Sequence, residues 1–98
     1  MNQYMVDFFL PPVLNQEFLA KIPAQRDRVN ELMRMGRLVS YTLSLDRSKL
    51  WAVVRAGSEE EVEALLETFP LADYMEAEIY ELFFHNSLSS ELPVISLN

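Results

Sequence analysis

From Gln3 to Leu10 the chain reads QYMVDFFL, a β-favouring run with Tyr4, Val6, Phe8 and Leu10 on one side and Met5 and Phe9 on the other, ended by Pro11-Pro12. A strand that is apolar on both sides needs cover on both sides. The pattern returns three times. Arg37 to Leu45 offers Val39, Tyr41, Leu43 and Leu45 against Leu38, and Lys49 to Ala56 offers Leu50, Ala52 and Val54 against Trp51 and Val53. Met75 to Phe84 offers Met75, Ala77, Ile79 and Phe83 against Tyr80, Leu82 and Phe84.

Two helical segments separate these strands. Leu14 to Gly36 carries Phe18, Ile22, Val29, Leu32 and Met33 at helical spacings, with Gly36 as its stop and Arg34 and Arg37 beside the negative helix end. Pro23 implies either a short first turn ending near Ala20, with the main helix starting around the proline, or a kink. Ser58-Glu59-Glu60-Glu61 fits a capping box and opens a second helix whose Val62, Leu65, Leu66 and Phe69 face inward. Asp46-Arg47-Ser48 suits a hairpin between the second and third strands. In FPLADYM, Phe69 to Met75, Pro70 stops the helix, and Leu71, Tyr74 and Met75 are expected to pack the turn against the sheet.

The order β-α-β-β-α-β predicts a ferredoxin-like α+β fold, a four-stranded antiparallel sheet with both helices on one face. Two helices cover only one face, so the other is expected to meet a second sheet, most simply in a homodimer. Residues 1–86 form this domain, and 87–98 form a tail. The apolar run LPVISL in the tail adds to a sheet edge, laps over a neighbouring subunit, or covers its own chain's hydrophobic edge.

A chain of 98 residues can bury a core of its own, roughly 60 to 70% of its unfolded surface. It has no cysteine, which excludes disulfides, thiolate metal sites and thiol nucleophiles. A net charge of -7 repels phosphate backbones and anionic membranes, so neither nucleic acid nor membrane is expected as a partner. A small carboxylate is compatible with that charge, because one or two placed arginines suffice to hold it. The N-terminus MNQYMVDFFLPP lacks the pattern of a signal peptide, and a cytoplasmic location is the expectation. A lone histidine and scattered carboxylates give no metal-ligand spacing, and no cofactor is expected.

Three segments, LMRMGRL, EALLETFPLADYMEAEI and FFHNS, resemble the muconolactone isomerase family of the dimeric α+β barrel group. The resemblance implies a βαββαβ subunit that dimerises through its sheets and can assemble further. It also implies a reaction that shifts a carbon-carbon double bond, by proton transfer, in a lactone bearing a carboxylate. Tyr74 and Met75 in the connection, and His85 and Ser87 beyond the last strand, match the family by position. The family's strand-two segment, rich in His, Trp and Arg, is replaced by LVSYTLSL, and the segment after it by KLWAVVR.

An isomerase of this kind needs a proton carrier, a cation for the carboxylate and a donor for the developing enolate. His85 is the one histidine, and is either the proton carrier or a structural residue at a strand end. Asp7, in an apolar strand, is either a second candidate carrier or a carboxylate paired across the sheet. Arg26 and Arg55 are the candidates to hold a substrate carboxylate, their alternative being surface pairing with Glu31, Glu76 or Glu78. Tyr41 and Tyr74 are candidates to orient substrate or stabilise an enolate, and Tyr41 and Trp51 to line a pocket, the alternative for these aromatics being core or dimer packing. A different class of function is a non-catalytic ligand-binding or oligomeric module on the same fold.

Overall fold

A computed structural model describes residues 2–88. The elements follow as β1 (Asn2–Phe9), α1 (Gln16–Arg34), β2 (Leu38–Leu43), β3 (Lys49–Ala56), α2 (Glu59–Leu66), a 3-10 turn (Ala72–Tyr74) and β4 (Glu76–Glu81). All pairings are antiparallel and the strand order is β2-β3-β1-β4, the ferredoxin-like arrangement. The expected strand in LPVISL lies outside the described residues.

One face of the sheet forms the core. Tyr4, Val6 and Phe8 of β1 and Leu50, Ala52 and Val54 of β3 pack with Val29 and Leu32 of α1 and with Val62, Leu65 and Leu66 of α2. The FPLADYM connection seals one end: Phe69 and Leu71 are buried, and the Phe8 and Phe69 rings stack with centroids 6.0 Å apart.

α1 runs unbroken through Pro23, unlike the first-turn alternative. Its cap is Asn15, whose side chain accepts from the Phe18 amide at 2.8 Å, so the helix begins well before the proline. At its far end Gly36 has φ +74°, and the Gly36 and Arg37 amides donate to the Met33 and Leu32 carbonyls, a Schellman closure. α2 opens on the capping pair: Ser58 Oγ accepts from the Glu61 amide at 3.2 Å, while Glu61 reaches back to the Gly57 amide at 3.1 Å.

Two strands depart from simple alternation. β2 has a bulge at Val39, between the pairings Leu38–Val54 and Ser40–Val53, so Leu38 joins Tyr41 on the helix side instead of opposing it. β4 stops at Glu81 because β1 has almost run out of partners: the Leu82 amide still reaches the Gln3 carbonyl at 2.9 Å, and Phe83 beyond it is fully exposed.

Among the described residues the other sheet face carries no helix. Met5, Val53 and Tyr80 form one row across it, and Asp7, Trp51, Glu78 and Thr42 form the next. Trp51 keeps 36% and Tyr80 51% of its surface exposed.

Candidate functional site

α1 does not lie flush on the sheet along its whole length. Between it and the β2–β3 side of the sheet is a cavity of about 760 Å³, a size that takes a small organic molecule. Its walls follow from two periodicities. Phe18, Ile22, Val29 and Met33 come from one stripe of α1, while Tyr41 and Leu43 project from alternate positions of β2. Leu71 and Met75 of the connection are also in the wall, so the apolar turn after α2 helps to build the cavity.

The polar groups in this wall are few. Arg26 on α1 and Arg47 in the β2–β3 turn bring two guanidinium groups, and among the described residues neither makes an ion pair. Arg47 has φ +62°, a left-handed conformation that a residue other than Gly, Asn or Asp adopts at a cost of roughly 1 kcal/mol. The neighbouring Asp46 fixes that turn, its Oδ1 accepting from Ser44 Oγ at 2.7 Å and from the Ser48 amide and hydroxyl at 3.0 and 2.7 Å.

The third polar feature is a pair formed by a buried amide and a half-buried phenol. Gln25 is 4% exposed, in the apolar stripe of α1; its Nε2 donates to Tyr41 Oη at 3.1 Å and its Oε1 accepts from the Leu71 amide at 3.1 Å. Burial pushes the Tyr41 phenol above its ordinary value near 10, and the hydrogen bond from Gln25 opposes this only in part. Tyr41 is therefore a neutral phenol at physiological pH.

The candidate residues divide between the two sides of the sheet. Arg26 and Tyr41 meet at the cavity. Tyr74 stands behind its wall, its ring edge-on to Phe18 at 5.5 Å and beneath the Lys21 ammonium at 5.2 Å. Asp7 and Trp51 lie on the open sheet face. There Lys49 Nζ comes within 2.7 Å of Asp7 Oδ1, but not along a hydrogen-bonding direction, so this buried oxygen has a charge partner and no aligned donor. Arg55 borders a separate hollow of about 250 Å³ with Gln3, Leu82 and Phe83. His85, half-buried beyond β4, borders neither.

Gln25 and Arg47 were not among the residues singled out from the sequence. Gln25 was detectable: it falls three residues after Ile22 and four before Val29, a polar side chain inside an apolar stripe. Arg47 left no comparable signal, since its place at the cavity follows from the hairpin's fold over α1. Among the described residues no cluster of acidic or histidine side chains could hold a metal, and no helix is long and apolar enough to cross a membrane.

No protein of curated function matches the chain. Among solved structures, muconolactone isomerase superposes with a TM-score of 0.68 at 21% identity, over 88% of this chain and 93% of that one. The 5-chloro-2-hydroxyhydroquinone dehydrochlorinase of Burkholderia phenoliruptrix AC1100, solved with 2,5-dihydroxybenzoquinone, gives 0.69 at 16% identity, over 86% and 95%. These two likenesses show a shared fold. The sequence pattern of the family muconolactone delta-isomerase matches residues 3–88, nearly the whole described chain, and the protein belongs to that family.

Proposed function

We propose that the protein is an isomerase-like enzyme that shifts a double bond by proton transfer in a carboxylate-bearing lactone or related oxo compound, bound between α1 and the sheet. The observation that carries this reading is the meeting, at one largely apolar cavity, of a neutral phenol and two guanidinium groups that have no ion-pair partner among the described residues. Arg26 holds the substrate carboxylate with Arg47 beside it, and the Tyr41 hydroxyl donates to the carbonyl oxygen as negative charge grows there. A proton leaves one carbon and one returns to another, so the reaction balances without oxidant or reductant.

Among the described residues the cavity wall contains no carboxylate and no imidazole. His85 and Asp7 would thus act on this cavity only from a second copy of the chain. Of the two, His85 is the better placed, since Asp7 is engaged by Lys49 in the middle of the open sheet face. A homodimer through that face is part of the proposal. The missing base also favours a second reading, in which the cavity binds such a compound without chemistry.

Deuterium incorporation into muconolactone in heavy water separates the two. The enzyme reading expects exchange by the wild type, a fall of about 10²-fold or more in Tyr41→Phe, and loss in His85→Ala. Binding without exchange would leave only the second reading.

A further inference from the structure

The Gln25 amide is held the right way round by the backbone, with a consequence for Tyr41. An amide side chain can turn over and exchange its oxygen for its nitrogen, but here the Leu71 N–H must face an acceptor. It meets Gln25 Oε1 at 3.1 Å, so the NH₂ end is forced toward Tyr41, whose oxygen accepts from it at 3.1 Å. With that lone pair engaged, the phenol proton has to go elsewhere. Among the described residues Tyr41 donates to no protein acceptor, and its side chain is part of the cavity wall.

We infer that Gln25 is a positioning residue that commits Tyr41 to donate into the cavity, so that the site selects ligands presenting an acceptor oxygen, a carbonyl or lactone oxygen, at that depth. The inference rests on the reading that Arg26 receives a carboxylate in the same cavity, and it adds the residue that fixes which way the Tyr41 hydroxyl points. A ligand without that oxygen leaves the phenol proton buried and unpaired, a loss that burial magnifies. A glutamate at position 25 would reverse the arrangement. Its two oxygens would accept from both the Leu71 amide and the Tyr41 hydroxyl, and Tyr41 would then show the cavity a lone pair.

The test compares two acids of equal length, 4-oxopentanoate, which has a ketone, and pentanoate, which does not. Dissociation constants are measured by NMR titration at pH 9, where an introduced glutamate is more readily ionised. Wild type is expected to prefer the keto acid by about tenfold, the scale of one buried hydrogen bond. Tyr41→Phe should lose the preference, and Gln25→Glu should lose it with every cavity-lining apolar side chain intact. A purely structural Gln25 would weaken both acids in proportion and leave their ratio unchanged. Equal binding of the two acids by wild type, or a ratio that survives in Tyr41→Phe or Gln25→Glu, overturns the donor assignment alone. Failure of wild type to bind either acid overturns the carboxylate reading, and the inference with it.

Discussion

Asp46 gathers three donors onto one carboxylate oxygen in the β2–β3 turn, and those bonds hold its carboxyl down at about 2, with the Ser48 amide the largest cause. Because the folded state binds its proton less readily than the unfolded chain, this contribution to stability is complete above the usual value of 3.8 and is lost as pH falls through about 2. Chemical denaturation followed between pH 5 and 2 should therefore show a smaller acid-induced loss in Asp46→Asn than in wild type. The next residue works in the opposite sense. Replacing Arg47, at φ +62°, with glycine is expected to leave stability unchanged or raise it by up to about 1 kcal/mol, while weakening binding of small acids. If melting and binding fall together, Arg47 is in the turn for stability alone. Gln25 is the buried counterpart: Gln25→Leu strands the Leu71 amide and should cost about 1–3 kcal/mol in urea unfolding. At this scale Tyr41 and Arg26 were readable from the sequence as residue types suited to a carboxylate-bearing ligand. Their shared location was not, because it depends on how α1 sits over β2.

The elements were readable from period and punctuation, and they departed from expectation where a local rule was overridden. β3 occupies Lys49–Ala56 as its alternation indicated, with β1 in register along its whole length. β2 misled because the bulge at Val39 adds one residue to the count, and Leu38 changes sides without any change in composition. A test follows from that geometry. Removing Val39 should leave the pairings on either side in place, so the shortened chain is expected to fold with its Tyr41–Gln25 bond intact, whereas removal of Thr42 moves Tyr41 opposite Trp51 on the other face and should not be tolerated. Amide hydrogen exchange across β2 distinguishes the two. In α1 the sequence named Pro23 as an interruption, but tertiary packing carries the helix through it. Pro23 is exposed, and Pro23→Ala restores a donor toward the Leu19 carbonyl, so thermal unfolding should show a gain of up to about 3 kcal/mol.

For the whole molecule, apolar residues on both sides of each strand gave the first indication that two helices were too little cover, and the open face bears this pattern with Met5, Val53, Trp51 and Tyr80 across its middle. The ion pair of Lys49 with Asp7 lies within this face, the ammonium 4.0 Å above the Phe9 ring. A dimer is expected in light scattering at micromolar concentration, and Trp51→Arg, which sets a second cation beside Lys49, should shift it toward monomer. A wild-type monomer at that concentration would remove the face-to-face assembly.

The place of Trp51 also decides what can be seen by light. It is the chain's single tryptophan, and it belongs to the side of the sheet away from the cavity, whose wall contains Tyr41 and no indole. Selective excitation at the red edge should therefore follow subunit dissociation on dilution as a change in emission colour, and remain quiet as a small acid enters. The phenol band responds to Tyr41 as the acid enters and to Tyr80 of the open face as subunits part, so tryptophan emission follows assembly and, at fixed protein concentration, the phenol difference follows ligand occupancy.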